Sequence, residues 1–345
     1  MRKVYSVLLF ILLFFSLGLA ACGQTETTNS ASTASTSTAS PADPSASSAP
    51  SEVYPEKLRI GYQKGGTLII LKASGQLEKA LAPHNVEVEW VEFAYGPPLM
   101  EAMNAGEIDF GYTGATPPVF AQAGDGPNLA YVGYGPSSKE GYGIIVPKDS
   151  PAQSLQDLKH KKIALSKGSA GHYLLVKALR KEGLTLEDIE PVYLSYSEAR
   201  TAFERGDVDA WVVPDPRFAD AEETIGARPV ATGVGLPVQY NFYLANKSFA
   251  ERYPAVLRVA LDELNKIEQH AKDNIDETAN FLEKDTGIPV NIWKRALKRQ
   301  AWGAQYPLTQ EVLDSQQQVA DTFFEIKQIP KQIQVKEAVI DLTAK

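Results

Sequence analysis

The sequence is poor in the residues and motifs that carry most enzyme chemistry. It contains one cysteine and four histidines, which form no metal-ligand spacing, and Cys22 alone excludes an internal disulfide. A P-loop, a Gly-x-Ser-x-Gly elbow, zinc spacings and a dinucleotide fingerprint after the first predicted strand are all absent. Basic runs are absent as well, and the formal net charge of −8 disfavours nucleic acid as a partner. The sequence therefore favours binding over catalysis and predicts a protein that is not an enzyme and has neither a metal nor a cofactor.

The long apolar run of the sequence lies at its N-terminus. A short basic region precedes a run from Val4 to Leu19, and Cys22 follows two alanines. This order resembles a bacterial lipobox, in which residues 1–21 are a signal peptide and the cysteine is acylated. An uncleaved transmembrane helix is the alternative, but the run is shorter than the roughly 20 residues of a membrane span. We therefore expect lipidation at Cys22 and a protein anchored to the cell membrane on its extracytoplasmic face.

Residues 22–54 differ in composition from the rest of the chain. They consist largely of Ser, Thr, Ala and Pro, with very few apolar side chains. Such a segment buries too little apolar surface to offset the entropy of ordering its backbone. We expect a disordered tether here, with the folded part beginning near residue 55.

The folded part repeats itself at a separation of about 100 residues. Three pairs of similar segments occur in the same order: 60–66 and 163–169, 91–95 and 192–196, 106–109 and 206–209. One match would be weak evidence, but three in order indicate two lobes that are built alike. Strands alternate with helices in both copies, which predicts an α/β fold with mostly parallel, doubly wound sheets.

The repeat also predicts how the chain divides between the lobes. Lobe 1 is expected to contain residues 55–142 and 247–345, and lobe 2 residues 143–246. Two extended crossovers, near residues 144–147 and 241–246, would then form a hinge. Helical stretches after Ser248 carry apolar residues on one face, so we expect them to pack on lobe 1.

Four loops predicted at the carboxyl ends of strands carry the candidate binding residues. In open parallel sheets, ligands bind beyond these ends, in the loops that open the helices. Two of the loops are turns at Lys64 and Lys167, whose glycines let the backbone approach an anion closely, while both lysines are expected to be solvated. The candidate ligand-binding residues are Gln63, Gly65, Gly66, Thr67, Thr113, Gly114, Ala115, Thr116, Ser169, Ala170, Gly171, His172, Trp211 and Asp215.

Several of these candidates have a structural alternative that the sequence leaves open. Turn glycines are common without a ligand. His172 either donates to an anion or caps its helix, and Trp211 either packs against an apolar ligand tail or lies in the core. Asp109 and Asp209 occupy equivalent places in the repeat, and we predict that they are structural turn residues and not ligand contacts.

Specific segments of both lobes resemble one known family. In lobe 1 they are Ile60-Gly61-Tyr62-Gln63-Lys64, Ile108-Asp109-Phe110-Gly111-Tyr112-Thr113-Gly114 and Pro117-Pro118-Val119-Phe120. In lobe 2 they are Lys167-Gly168-Ser169 with His172-Tyr173-Leu174-Leu175, and Val208-Asp209-Ala210-Trp211. With these segments the chain closely resembles the aliphatic sulfonate-binding family of ABC-importer substrate-binding lipoproteins.

The resemblance implies a two-lobed periplasmic-binding-protein-like fold with two hinge crossovers. It further implies a small anionic organosulfonate held between the lobes, and delivery of that ligand to an ABC permease with its ATPase. We expect a monomer. Neutral donors can hold a sulfonate without a buried counter-charge, whose desolvation is costly.

Two positions depart from the pattern of the family and put the identity of the ligand in doubt. The family usually has an aspartate where this chain has Ala115, and a tryptophan where it has Pro214, just before Asp215. Arg217 follows and either clamps an anion or lies in solvent, the latter being favoured. Taurine, a sulfate ester, nitrate or a pyrimidine-type vitamin precursor are therefore alternative ligands, and a pyrimidine-synthesising enzyme on the same fold is the alternative of another class.

Overall fold

The computed structural model describes residues 52–344. The predicted signal peptide, the lipidation site at Cys22 and most of the predicted tether lie outside these residues. The strands are β1 (Lys57–Tyr62), β2 (Glu87–Glu92), β3 (Phe110–Thr113), β4 (Leu129–Pro136), β5 (Tyr142–Val146), β6 (Lys162–Leu165), β7 (Glu190–Tyr193), β8 (Ala210–Pro214), β9 (Arg228–Thr232) and β10 (Tyr240–Asn246). The helices are α1 (Leu68–Ser74), α2 (Gln76–Leu81), α3 (Gly96–Asn104), α4 (Thr116–Ala123), α5 (Ala170–Lys181), α6 (Tyr196–Arg205), α7 (Arg217–Ile225), α8 (Lys247–Arg252), α9 (Pro254–Asp273), α10 (Ile275–Thr286), α11 (Val290–Arg299) and α12 (Gln310–Glu325).

The strands form two sheets of the same design, one in each lobe. The order is β2-β1-β3-β10-β4 in lobe 1 and β7-β6-β8-β5-β9 in lobe 2. The first three strands of each sheet are parallel, and the fourth, β10 or β5, is antiparallel to both neighbours. Four of the five strands in each sheet therefore run in one direction. The prediction of an α/β fold with two similarly built, mostly parallel lobes is confirmed.

The chain crosses between the lobes earlier than the sequence suggested. It leaves the sheet of lobe 1 after β4 and returns after β9, so residues 137–141 and 233–239 are the crossovers. The segments 144–147 and 241–246 belong instead largely to β5 and β10, whose apolar residues are buried within a sheet. The structure thus assigns β10 to lobe 1 and not to the end of lobe 2, because it pairs with β3 and β4.

Two aspartates hold equivalent strand starts in the two lobes. A carboxylate oxygen of Asp109 accepts from the backbone N–H of Arg59 at 2.8 Å, and one of Asp209 accepts from that of Lys162 at 2.9 Å. Asp109 is buried and also accepts from the guanidinium of Arg59. These bonds join the first strand of each repeat to the loop before the third. The prediction that both acids are structural is confirmed.

The four long C-terminal helices pack mainly on lobe 1. α9 buries Val256, Leu257, Leu261 and Leu264, which recur at helical spacing and face the core of the first sheet. α11 also contacts α7 of lobe 2, and Phe323 of α12 contacts His172 and Tyr173 of α5. Within residues 52–344, no helix is both long and apolar enough to cross a membrane.

Candidate functional site

A cavity lies between the lobes, at the carboxyl ends of β1, β3 and β8. Its empty volume is about 660 Å³, which includes space open to solvent. The lining residues come from both lobes, from both crossovers or their edges, and from α11: Gln63, Gly65, Gly66, Tyr112, Gly114, Ser137, Ser138, Gly141, Tyr142, Tyr196, Pro214, Asp215, Arg217, Asn241, Ala296 and Gln300. Most of them present hydroxyls, amides or bare backbone, and the charged side chains in the lining are one carboxylate and one guanidinium. Such a surface suits a small polar ligand.

The lobe 1 wall is a glycine turn between β1 and α1. The side-chain amide of Gln63 donates to the carbonyl of Tyr112 at 2.9 Å, which ties the turn to the end of β3. Gly66 has a φ of 99°, and a Cβ there would lie 2.5 Å from the ring of Tyr112. A side chain at this position would therefore be strained and would also collide with the tyrosine. The sequence places a glycine here because the backbone itself forms the wall.

A buried carboxylate supports this turn from behind. Glu268 is 1% exposed and accepts from the hydroxyl of Tyr243 at 3.0 Å and from the N–H groups of Gly303 and Ala304 at 2.6 and 2.9 Å. The hydroxyl of Tyr243 is in turn 2.9 Å from that of Thr67, the residue that follows the glycines. Burial raises the pKa of Glu268. These bonds fix the start of α1 to the C-terminal helices, so the turn is held on a rigid base.

The lobe 2 wall is formed by two tyrosines and an arginine. Tyr142 begins β5, and Tyr196 begins α6 behind a capping box made by Ser195 and Glu198. Burial raises the pKa of both tyrosines, and the charge of Arg217 opposes that rise in each. The guanidinium carbon of Arg217 lies 5.1 Å from the centroid of the Tyr196 ring. This residue lines the cavity, so the expectation that it lies in solvent is not met.

Asp215 is the acidic group of the cavity wall. Its Oδ1 accepts from the N–H of Ala219 at 3.0 Å and lies 3.7 Å from the guanidinium of Arg299. Its Oδ2 is buried and has no hydrogen-bond partner within the described part of the chain. Burial raises the pKa of Asp215 to about 7, even though the charge of Arg299 opposes the shift. The carboxyl is therefore balanced between its two protonation states near neutral pH.

The lobes touch at two glycines that border the cavity. A Cβ on Gly65 would lie 2.7 Å from the carbonyl oxygen of Asp215, and a Cβ on Gly114 would lie 2.5 Å from the Cβ of Ala170. Real Cβ atoms do not approach this closely, so each glycine allows a contact between lobes that a larger residue would prevent. Neither position has the positive φ that would itself require glycine.

Ion pairs join the lobes beside these contacts. Arg299 of α11 pairs with Glu222 of α7, and the side chains of both are 15% exposed. Arg295, one turn earlier in α11, lies 3.4 Å from Glu222 and also pairs with Glu223. Because Arg299 also reaches Asp215, this cluster connects the contact between lobes to the cavity wall.

The structure brings five of the predicted site residues to the cavity and places the others behind it or at its edge. Lining the cavity are Gln63, Gly65, Gly66, Gly114 and Asp215. Behind the wall are the buried Thr67, Thr113, Ala115, Thr116 and Ser169. Ala170 lines a smaller neighbouring cavity, and Gly171 packs beside Val212 and Tyr142.

His172 and Trp211 are fully or almost fully buried and do not line the cavity. Nδ1 of His172 accepts from the N–H of Gly168 at 3.3 Å, and the ring packs between Phe120 and Phe323 of lobe 1. Burial and then the charge of Lys167 lower the pKa of His172 to about 4, so the ring is neutral. Trp211 packs against Phe203 in the core of lobe 2. For both residues the geometry agrees with the structural alternative.

The residues that the crossovers and α11 contribute to the cavity were not among those predicted from the sequence. Ser137, Ser138 and Gly141 lie in the first crossover, and Asn241 is the second residue of β10. The Ser-Ser and Gly content of 137–141 was the available signal, since crossovers border the cleft in any two-lobed protein. Ala296 and Gln300 carried no such signal, because they belong to a helix whose pattern indicates core packing.

Comparison with known proteins shows the family. The family model described as "ABC transporter, phosphonate, periplasmic substrate-binding protein" matches residues 76–232. A protein from Escherichia coli (strain K12) named as an aliphatic sulfonates-binding protein is 38% identical over 289 residues, which make up 84% of this chain and 90% of the relative. The chain belongs to the aliphatic sulfonate-binding protein family.

Solved structures of aliphatic sulfonate-binding proteins share the fold over most of their length. The alkanesulfonate-binding protein from Xanthomonas axonopodis pv. citri bound to MOPS is 36% identical with a TM-score of 0.78, and the match covers 84% of this chain and 99% of that one. The periplasmic aliphatic sulphonate binding protein from Escherichia coli is 37% identical with a TM-score of 0.77, covering 85% and 94%. A desulfurization enzyme that is 16% identical with a TM-score of 0.60 shares the fold alone. The family resemblance and the periplasmic-binding-protein fold predicted from the sequence are confirmed.

Membership of the aliphatic sulfonate-binding family fixes the general role of the chain. The family belongs to the periplasmic substrate-binding components of ABC importers. These are extracytoplasmic proteins that bind a solute and do not pump it. The family is one of transporter binding proteins and not of enzymes.

Proposed function

We propose that this protein captures a small organosulfonate in the cavity between its lobes and delivers it to an ABC permease with its ATPase. The observation that carries the proposal is the composition of the cavity wall, in which hydroxyls, amides and glycine backbone from both lobes surround a single arginine. The relatives named for sulfonates, and the MOPS bound to one of them, support the same ligand class. We further propose that the protein is a monomer that acts as a receptor and not as an enzyme.

The chemistry of the ligand explains why such a wall is suitable. A sulfonate stays ionised at all physiological pH values and offers three acceptor oxygens with no proton to donate. Its site therefore needs several donors, and neutral donors serve because they cost less to desolvate than paired buried charges. Gln63, Asn241 and Gln300 line the cavity, and each amide nitrogen keeps a second N–H after donating to a backbone carbonyl. Tyr112 and Tyr142 add their hydroxyls to the same lining. Few apolar side chains line the cavity, which favours a short ligand over a long alkyl chain.

A ligand panel tests the proposal directly. Saturating alkanesulfonates are expected to raise the melting temperature of the protein, because a ligand that binds only the folded state adds about 2.7 kcal/mol at a hundred times its Kd. The panel includes ethanesulfonate, propanesulfonate and MOPS beside taurine, a sulfate ester, nitrate and a pyrimidine-type vitamin precursor. If the sulfate ester, nitrate or the vitamin precursor alone shifts the melting temperature, the ligand class is wrong although the transport role stands. If taurine alone does so, the ligand is still an organosulfonate, but one that carries an amino group. If nothing binds in either group, the capture role itself fails.

We also propose that the mature protein is held at the membrane by a lipid on Cys22. The support is the order of a basic region, an apolar run and two small residues before this cysteine. Expressed in a bacterium with lipoprotein processing, the full chain is expected in the membrane fraction, and Cys22→Ser is expected to release it or leave an unprocessed precursor. Thr27→Ser is the matched control in the same segment. Equal membrane retention of a Cys22→Ser protein that has lost residues 1–21 and carries no lipid would contradict the anchor.

A further inference from the structure

Arg217 contributes the positive charge in the wall of the cavity. It is the first residue of α7, it is partly buried, and its guanidinium stacks over the ring of Tyr196. The stacking holds the guanidinium at the lobe 2 wall. Its charge there also opposes the rise that burial causes in the pKa of Tyr142. This contact holds the side chain of Arg217 beside the cavity and restricts its rotamers.

The charge of Arg217 has no acidic partner in the part of the chain that the structure describes. Among residues 52–344, no carboxylate lies within 4.0 Å of its guanidinium. Asp215 is close in sequence and lines the same cavity, but its Oδ1 accepts a hydrogen bond from the N–H of Ala219 and pairs with the guanidinium of Arg299. The cluster around Arg299 holds its own acids, Glu222 among them. Partial burial of an unpaired cation costs free energy, and an anion that pairs with the cation lowers this cost.

The position of Arg217 in its helix adds to this imbalance. The N-terminus of a helix carries a partial positive charge, so a cation there is disfavoured and an anion is stabilised. α7 has nine residues and begins at Arg217 with Pro216 as its N-cap, so the guanidinium and the helix dipole act in the same direction. Both effects are relieved by one anion in the cavity. A neutral ligand of the same shape would relieve neither.

We propose that Arg217 contacts the sulfonate group of the ligand and makes the site select a fully ionised anion over a neutral ligand of the same shape. This inference rests on the proposed capture of an organosulfonate. It assigns the discrimination to one side chain in the cavity lining. The neutral donors then orient the ligand, while the arginine supplies the preference for charge.

The test compares two ligands of the same size on three proteins. Calorimetry gives the Kd of propanesulfonate, which is ionised, and of propanesulfonamide, which is neutral, for the wild-type protein, Arg217→Gln and Arg217→Lys. Arg217→Gln is expected to weaken propanesulfonate about tenfold, as for the loss of a charge-assisted hydrogen bond, and to leave propanesulfonamide nearly unchanged. Arg217→Lys keeps the charge without the planar fork and is expected to fall between. Arg205→Gln, at an exposed arginine outside the cavity lining, is the control and should match the wild type.

The possible results separate this inference from the proposed function. If Arg217→Gln binds propanesulfonate as tightly as the wild type, or weakens both ligands equally, the assignment to Arg217 is overturned. If the wild-type protein binds no sulfonate in the panel described above, the proposed function fails before Arg217 is tested. Melting temperatures of the ligand-free variants show whether the substitution changed the fold, and Arg217→Lys remains informative if Arg217→Gln is unstable.

Discussion

Gly114→Val is expected to remove high-affinity ligand binding while leaving both lobes folded. A Cβ at Gly114 would lie 2.5 Å from the Cβ of Ala170, which belongs to the other lobe. Gly114 has no positive φ, so valine adds no backbone strain of that kind. The collision is relieved when the lobes move apart, so it acts against closure and not against folding. Overpacking costs about 1–3 kcal/mol, which corresponds to a loss of affinity of about fivefold to about 150-fold, with alanine at the lower end and valine at the upper.

A compensating variant distinguishes lost closure from general damage. Ala170→Gly removes the atom that the new Cβ meets, and the double variant Gly114→Ala with Ala170→Gly is expected to recover most of the affinity that Gly114→Ala loses. Calorimetry measures the affinities, and small-angle scattering with ligand present should show a larger radius of gyration for Gly114→Val than for the wild type. Unchanged affinity in Gly114→Val would mean that the contact between the lobes is not needed for binding.

Much of the architecture could be predicted from the sequence, because the sequence contains two similar copies of the same segments, one for each lobe. The echo of 106–109 in 206–209 corresponds to equivalent places in two sheets of equal order, and Asp109 and Asp209 make equivalent bonds to the first strand of each. The rule that ligands bind at the carboxyl ends of strands then located Gln63, Gly65 and Asp215 at the cavity. Local pattern and topology agree in these segments, so prediction succeeds.

Prediction failed where the direction of a side chain or the partner of a strand decides the outcome. Side chains alternate along a strand, and in β8 that alternation turns Trp211 towards Phe203 in the core. The strand at 241–246 was predicted as a crossover because its sequence does not reveal that it inserts between β3 and β4. Ala296 and Gln300 reach the cavity through the packing of α11 against α7, which is a contact between distant parts of the chain. No local pattern encodes such contacts.

Asp215 is expected to make ligand binding depend on pH, because its pKa is raised to about 7 and it lines the cavity. When protonated, the carboxyl of Asp215 carries no charge, and its buried Oδ2 has no hydrogen-bond partner in residues 52–344. When ionised, it places a negative charge beside a negative ligand. The charged groups around it are Arg299 and Arg295 of α11, Glu222 of α7 and, in the cavity wall, Arg217. Burial outweighs the two arginines of α11, so the pKa of Asp215 rises to about 7.

The affinity for a sulfonate is therefore expected to fall as the pH rises through about 7. The ligand favours the protonated form of Asp215, so binding raises the pKa of this carboxyl further and takes up a proton. The affinity is then at its full value below the pKa of the free protein and declines by up to about tenfold per pH unit above it, until the pKa of the complex is reached. The sulfonate does not titrate in this range, and neither does His172, whose pKa is lowered to about 4.

Asp215→Asn isolates this carboxyl from every other titrating group. Asparagine has nearly the same shape, can donate from its amide nitrogen and does not ionise, so the variant is expected to bind propanesulfonate with little dependence on pH between about pH 6 and about pH 9. Calorimetry in buffers of different ionisation enthalpy should show proton uptake for the wild type and almost none for the variant. Glu268 is also a buried carboxyl with a raised pKa, and a pH dependence that persists in Asp215→Asn would assign the response to that group or another. A flat wild-type profile would show that the sulfonate does not meet the carboxyl of Asp215, which would place the ligand nearer the glycine turn of lobe 1.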